Sequence, residues 1–252
     1  MPTLAQRLAQ RRRPARCPLM HQDWGDLLFM HWPVPPEVIQ AHLPPRLQVD
    51  TFEGQAWIGI VPFRMWDVRS LVTPPVPGVR EFLELNVRTY VHLDGVPGVW
   101  FFSLDATNAL AVWAARTFFH LPYFRAQLRL ERLGPERLHY AGHRVHNGAP
   151  AAEFAATWQL GELLPPPAPD SLEFFLTERY CLYAASGGGA PGRGERLYRG
   201  RISHQSWPLR RAELLDYRSD LLAGHGLPTP TGAPHLLAGG PLHVDLWRLR
   251  RV

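Results

Sequence analysis

The chain of 252 residues contains no lysine, and all 27 of its Lys-plus-Arg positions are arginine. It therefore has no side-chain amine to form an imine with a carbonyl compound. A guanidinium cannot replace one, because it stays protonated. A genome-wide composition bias explains the arginine usage, and the chemical consequence holds whatever its origin. Cysteine is nearly absent too. Cys17 and Cys181 are far apart, which provides neither a disulfide framework nor a cysteine-rich metal site. A reduced, cytoplasmic protein is the expectation. No run of about 18 apolar residues occurs, so no membrane span is expected. The basic start MPTLAQRLAQRRRPARC has no apolar segment after it and does not read as a secretory signal. An Arg-rich, acid-free start is also compatible with a mitochondrial presequence; a short disordered or helical arm is the preferred reading.

What is present suits a soluble globular protein. The apolar fraction is 46%, and the length allows an ample core. Part of the net charge of +5 comes from Arg7, Arg11, Arg12, Arg13 and Arg16. Such an arm more often forms a solvated tail than a nucleic-acid contact, so nucleic acid is not an expected partner. Residues 1–20 are read as this arm and 21–252 as one domain. Turn signals every 8–12 residues or so predict around ten strands with three or four short helices. Strands are expected at 21–30, 55–68, 124–133, 137–146, 152–160, 180–185, 195–203 and 242–252. Helices are expected after Pro35, after Asn108 as N-cap, near 171–179 and at 212–226. Pro62 within the second strand predicts a bulge or bend. The proline-rich stretch 70–80 reads as a loop beside a pocket mouth, and the glycine-rich stretch 186–194 as a flexible hairpin loop.

The most informative stretch is EFLELNVRTYVHLDGVPGVWFFSLDA, residues 81–106. It predicts a β-hairpin turning at Asp94-Gly95. Strand periodicity places Leu83, Leu85, Val87, Thr89, Val91 and Leu93 on one face, and Glu84, Asn86, Arg88, Tyr90 and His92 on the other. With a two-residue turn, Glu84 falls opposite Asp105, Asn86 opposite Ser103 and Arg88 opposite Phe101. A one-residue slip would move Asp105 to the other face. The polar row either faces water or lines a pocket.

Several motifs carry a resemblance. They are HWPVPPEVIQAHLPPRLQVDTFEGQAWIGIVPFRM, ELNVRTYV, GVWFFSLDA with AVWAARTFFHLPYFRA, FLTERYCLYA and RLYRGRISHQSWPLRRAEL. Together they resemble the YqjF-like family of uncharacterised conserved bacterial proteins from about residue 21 onward. That family is similar in fold to acetoacetate decarboxylases. The resemblance implies a mainly β (α+β) fold, a closed antiparallel β-barrel or cone with a few short helices around a central cavity. It also implies that Glu84 matches a cavity glutamate of those enzymes. Their Schiff-base lysine follows a Gly-Phe-Pro-like turn. Here the similar stretch is His120-Leu121-Pro122-Tyr123-Phe124, with aromatic residues where the lysine would sit.

The candidate catalytic residues are accordingly Glu84, Asp105, Tyr123 and His120. Candidate ligand-binding residues are Asn86, Arg88, Arg64, Arg116 and Trp113. Arg64, a charge in a buried-looking strand, needs either a structural carboxylate or a ligand anion. His31 reads as a packing histidine. His139, His143 and His146 do not share one strand face, so no metal is assigned, and no cofactor is expected. Ser203-His204 lacks a nucleophile elbow. The expected partner is a small molecule, and a homo-oligomer is left open. Two functions follow: acid–base chemistry without an imine on a small carbonyl or carboxylate compound, or binding of a small ligand without turnover.

Overall fold

The computed structural model describes residues 1–71, 80–186 and 196–252. The chain opens with helix α1 (Leu4–Ala9), then β1 (Met20–Gly25), β2 (Leu27–Val34), α2 (Pro36–Gln40), β3 (Gln48–Val49), β4 (Ala56–Ser70), β5 (Glu81–Leu93) and β6 (Val96–Ala106). Helix α3 (Ala109–Phe119) leads into β7 (Tyr123–Arg132), β8 (Arg137–Arg144) and β9 (Glu153–Leu163). After α4 (Leu172–Thr177) come β10 (Cys181–Ala185), β11 (Leu197–His204), β12 (Leu209–Ser219), a 3-10 turn (Ala223–His225), β13 (His235–Gly239), β14 (Leu242–Leu246) and β15 (Arg250–Arg251). The protein is thus mostly β-sheet with few helices.

All described strands belong to one sheet in which β4, β5 and β6 are the hub. One run of hydrogen-bonded neighbours goes β4–β1–β14–β11–β10–β6 and another goes β4–β2–β13–β12–β9–β8–β7–β6; β5 joins β4 to β6 in both. The fifteen-residue β4 serves two partners on one edge. Its first part pairs with β2 through Ile60, and its last part pairs with β1 from Arg64 onward. Pro62 sits between these two ladders. Its missing N–H therefore costs no inter-strand bond on that edge, and the expected local irregularity takes the form of a change of partner.

The hairpin turns at Asp94 and Gly95, both with positive φ (52° and 76°), as a tight two-residue turn requires. Leu93 pairs with Val96, and Arg88 with Phe101. Phe102 is then an extra residue in β6, and the register shifts so that Glu84 lies opposite Ala106 and Leu85 opposite Asp105. The two faces of β5 separate as its pattern requires. Leu83, Leu85, Val87, Val91 and Leu93 pack into the larger apolar cluster, with Met30, Ile58, Tyr140 and Trp158. The polar row faces a second, smaller cluster that includes Phe29, Val61, Phe63 and Trp207.

Two segments depart from expectation. The predicted first strand breaks at Asp26 (φ 51°) into β1 and β2. Residues 212–226 form most of β12 and a 3-10 turn instead of a helix. The Leu214-Leu215 and Leu221-Leu222 pairs mimic helical spacing, but pairing with β9 along nearly the whole of β12 prevails over that local signal. The pattern also hid β13, while α1 is the helical alternative for the arm. The glycine-rich loop and most of the proline-rich loop lie outside the described residues.

The basic arm is not a solvated tail. Arg7 on α1 grips the buried carboxylate of Asp50 with two bonds of 2.6 and 2.7 Å. Arg13 pairs with Asp245, and Arg11 reaches Glu178 at 3.7 Å. Arg201 in turn binds the backbone oxygens of Gln10 and Arg12. Burial by itself would raise the carboxyl of Asp50, but Arg179 and Arg7 together outweigh it and hold it below its ordinary value. Arg7→Ala should therefore lower stability by about 1–3 kcal/mol, the cost of losing a charge-assisted bond to a buried group. Urea denaturation at pH 7 is the measurement; a loss within error would return the arm to the status of a solvated tail.

Candidate functional site

The site grows from the polar row of β5. Glu84, Asn86 and Arg88 alternate along the strand, so all three project to one side, where they line a cavity of about 210 Å³. That is below the roughly 300–1,000 Å³ of sites for drug-sized ligands. The rest of the wall is largely apolar. Phe29, Val61, Phe63, Leu104 and Trp207 contribute from the strands, and Ala111, Ala114 and Ala115 from α3. Helix α3 also turns Phe119 to the cavity and buries Val112. Its N-terminus is fixed by Asn108, whose side-chain oxygen accepts a bond from the Ala111 N–H.

Glu84 is the group the surroundings change most usefully. Its side chain is buried, and its carboxyl is pushed up from 4.5 to about 7. Burial is the main cause; hydrogen bonds from Tyr123 and Asn86 oppose it, and the charge of Asp105 adds to it. The Tyr123 hydroxyl donates to Glu84 Oε2 at 2.6 Å, and burial next to that carboxylate drives the phenol well above its ordinary pKa. On the far side of the strand, the Tyr140 hydroxyl donates to the Glu84 carbonyl at 2.9 Å and fixes the backbone there. Near neutral pH Glu84 thus exchanges a proton at low cost, in an apolar wall, with one donor already aimed at it. A general acid–base group needs those properties.

Asn86 and Arg88 extend the polar stripe. Asn86 is buried, and its Oδ1 has no hydrogen-bond partner. Arg88 packs its guanidinium over Phe29 and Tyr90, at 5.1 and 5.7 Å from the ring centres. Its Nε is buried without a partner, and among the described residues no carboxylate lies within salt-bridge distance of it. Tyr90 is itself held by His31 Nε2 at 2.6 Å and donates to the Leu176 carbonyl at 2.8 Å. Because that tyrosine proton goes to the carbonyl, His31 must donate from Nε2. Burial, with Arg88 nearby, keeps its pKa well below the ordinary value, as suits a neutral packing histidine.

The other predicted residues lie elsewhere. The extra residue in β6 turns Asp105 away from the cavity, toward Arg144, which binds it through two bonds of 2.6 and 2.8 Å. Burial pushes the Asp105 carboxyl up against the pull of those bonds. Asp105 therefore touches the site only through its field on Glu84. Arg64 is partly exposed and pairs with Asp26 (3.2 Å) and Glu81 (3.4 Å), the structural alternative. Arg116 donates to the Tyr123 carbonyl at 2.7 Å and so braces the strand that carries this tyrosine. Trp113 is 56% exposed on the outer face of α3 against Phe118. His120 ends α3 in a left-handed conformation (φ 52°) with its ring against Tyr198, and it is not part of the cavity wall.

His139 bonds to Thr157, and His146 accepts from the Arg125 N–H, so the histidines of β8 and its end do not converge. A different trio, His21, His243 and Asp245, brings its ligand atoms within 4.8 Å of one another. Arg13 pairs with that aspartate and Asp23 holds His243 at 2.8 Å, which accounts for the trio without an ion. The sequence reading missed Arg179, Gln22, Thr177 and His204, which also line the cavity. The signal for Arg179 was available: Glu178 and Arg179 are two charges inside the otherwise apolar stretch from Phe174 to Ala185, all of it buried.

The fold is that of the acetoacetate decarboxylase-like proteins. The chain is similar to acetoacetate decarboxylase from Legionella pneumophila, with a TM-score of 0.62 and 13% identity over 97% of this chain and 94% of that one. It is also similar to an acetoacetate decarboxylase-like enzyme from Sphingomonas wittichii RW1 (TM-score 0.64, 12% identity, 94% of both chains). A third match is the enduracididine biosynthesis enzyme MppR in complex with the condensation product of pyruvate and imidazole 4-carboxaldehyde. It has a TM-score of 0.65 and 16% identity over 94% of this chain and 90% of that one. At these identities the likeness shows the fold alone. The chain belongs to the DUF2071 family of uncharacterised conserved proteins, whose model matches residues 21–241. It is 40% identical over 238 residues to the uncharacterised protein YqjF of Bacillus subtilis (strain 168), covering 92% of each.

Proposed function

We propose that this protein carries out acid–base chemistry, without an imine, on a small carbonyl or carboxylate compound held in the cavity. The observation that carries this reading is Glu84, buried on the cavity wall with its carboxyl raised to about 7 and a hydrogen bond from Tyr123. As a carboxylate, Glu84 takes a proton from the carbon next to a carbonyl. As a carboxylic acid, it returns one. Tyr123 orients the carboxyl, and Arg88 offsets negative charge that develops on the bound compound. We read the sheet as a closed β-barrel around this cavity, supported by β4 pairing with both β1 and β5 and by β6 pairing with β5 and β10. A site enclosed in this way keeps water from Glu84. MppR, similar in fold, is known in complex with pyruvate, a 2-oxo acid, and compounds of that kind are the first to try.

An imine route has no amine here. The chain lacks lysine, so no side chain supplies one. That same absence favours the second reading, a pocket that binds without turnover. The test is proton exchange in D₂O. Pyruvate, 2-oxobutanoate and acetone are incubated with the protein, and the proton signal at the carbon next to the carbonyl is followed by NMR. The wild type should exceed the buffer rate, and Glu84→Gln should return to it, a loss of about 10²–10⁴-fold. The rate should rise with pH through about 7, because the basic form is the carboxylate. Chemical-shift changes on ligand addition without exchange would support the binding reading. A Glu84→Gln protein as fast as wild type would refute the acid–base role.

A further inference from the structure

We propose that Arg88 and Arg179 form a two-armed clamp for an organic carboxylate, so that the cavity takes a small monocarboxylate with an apolar body. This deepens the function proposed above by naming the ligand class, and it assigns a binding role to Arg179.

The argument starts from what holds Arg179. It follows α4, is buried, and lines the cavity. Its guanidinium lies against the rings of Tyr90 and Phe175, at 4.7 and 4.2 Å from their centres, and those two rings also touch each other. Its Nε donates to the Phe175 carbonyl at 2.6 Å, and its Nη1 to Asp50 Oδ2 at 2.7 Å. Two hydrogen bonds and two ring contacts hold the group in place. The remaining nitrogen, Nη2, is buried with no partner. A buried guanidinium N–H left without an acceptor is costly, and this one belongs to a residue of the cavity wall.

Arg88, partly buried on β5, also carries a buried donor without a partner, its Nε. Both guanidiniums rest on the one Tyr90 ring, at 5.7 Å for Arg88 and 4.7 Å for Arg179. Each carries a buried N–H without a partner. The charge balance points the same way. Asp50 is the nearby carboxylate, and it is already shared between Arg179 and Arg7. His31, the other titratable group against Tyr90, is neutral by burial. The cluster of Arg7, Arg88, Arg179 and Asp50 therefore has surplus positive charge facing a low-dielectric space. A buried charge calls for a counter-ion. A carboxylate has two acceptor oxygens, one for each unpartnered donor. Most of the remaining wall is apolar, with Phe29, Val61, Phe63, Leu104 and Trp207, and Glu84 and Asn86 add a polar stripe; an alkyl or aryl body suits the apolar part.

The experiment compares two acids with their uncharged amides: butanoate with butanamide, and 3-phenylpropanoate with 3-phenylpropanamide. Dissociation constants are measured by calorimetry or NMR titration at pH 6. In the wild type at least one acid should bind more tightly than its amide by about 10- to 100-fold, the range for charge-assisted bonds. Arg179→Gln and Arg88→Gln should each abolish most of that preference. Arg64→Gln, on a surface ion pair, should keep it. If Arg179→Gln does not fold, Arg88→Gln alone decides. Equal binding of acid and amide by the wild type, no binding of either acid at millimolar concentration, or a preference that survives Arg88→Gln would each overturn the clamp. The acid–base role is judged separately by Glu84-dependent exchange on acetone, which carries no carboxylate. Exchange with no acid preference would retain the first proposal and reject the second, and acid preference without exchange would do the reverse.

Discussion

Glu84→Gln should make the protein more stable than wild type by about 3 kcal/mol above about pH 8, and should leave it unchanged below about pH 4. The carboxyl is raised from 4.5 to about 7 in the folded state, so the folded protein holds this proton more tightly than the unfolded chain does. The contribution of the protonated acid is fully present below 4.5. It declines as pH rises, and it is gone once pH exceeds about 7, where the folded state must bury an ionised carboxylate. Glutamine has no charge to bury. Its carbonyl can still accept from Tyr123, and its amide can donate to the Oδ1 of Asn86, which has no partner in the wild type. Urea denaturation of both proteins at pH 4, 6 and 8 gives the difference curve directly. A difference independent of pH would mean that Glu84 titrates at its ordinary value, and the basis for an acid–base role would disappear with it. The stability and exchange measurements have opposite signs: the variant that gains stability at high pH is the one that loses turnover. That pattern marks a functional residue kept at a cost to the fold.

The second large effect belongs to the pair behind β6. Arg144→Met should destabilise the protein by about 3–5 kcal/mol, because it leaves Asp105 buried without its partner. The side chains of Arg144 and Asp105 are 1% and 2% exposed, so water cannot take the place of either. Asp105→Leu should cost a similar amount, for it strands the guanidinium. The double substitution should recover most of the loss, since two apolar side chains of similar bulk replace two charges that no longer need each other. Denaturant unfolding of the four proteins completes the cycle. Additive single effects would show that the pair is not the unit described, and would reopen a role for Asp105 in the cavity.

These two carboxylates show what could be read without coordinates. Glu84 was recognisable as a pocket residue from its alternation with Asn86 and Arg88 on an otherwise apolar strand, together with the family motifs around it. Asp105 carried an equally good signal, and its placement differs through one residue. The turn at Asp94-Gly95 and the pairs nearest it follow directly from the sequence. The extra residue at Phe102 does not, because a bulge depends on which strands flank β6 along its length, here β5, β7 and β10. Arg64 and Arg116 read from the sequence as candidate ligand-binding cations, yet Arg64 pairs with Asp26 and Glu81, and Arg116 with the Tyr123 carbonyl. Whether a guanidinium meets a carboxylate or a cavity is decided by elements far away in the chain.

By itself, then, the sequence determined the mainly β composition, the hairpin, the cap of α3, the lack of any lysine side chain and the family. These rest on periodicity, turn residues, composition and local motifs, all of which act over a few positions. Only the tertiary structure decided that β4 changes partners at Pro62, that residues 212–226 are strand more than helix, and that the arginine arm is bound to Asp50, Glu178 and Asp245. It alone brought Arg88 and Arg179 to the same tyrosine ring, from segments some ninety positions apart. The reason is physical. Pairing register, charge neutralisation and burial are settled by contacts between distant segments, and the free energy of those contacts exceeds the local preferences that a linear pattern displays.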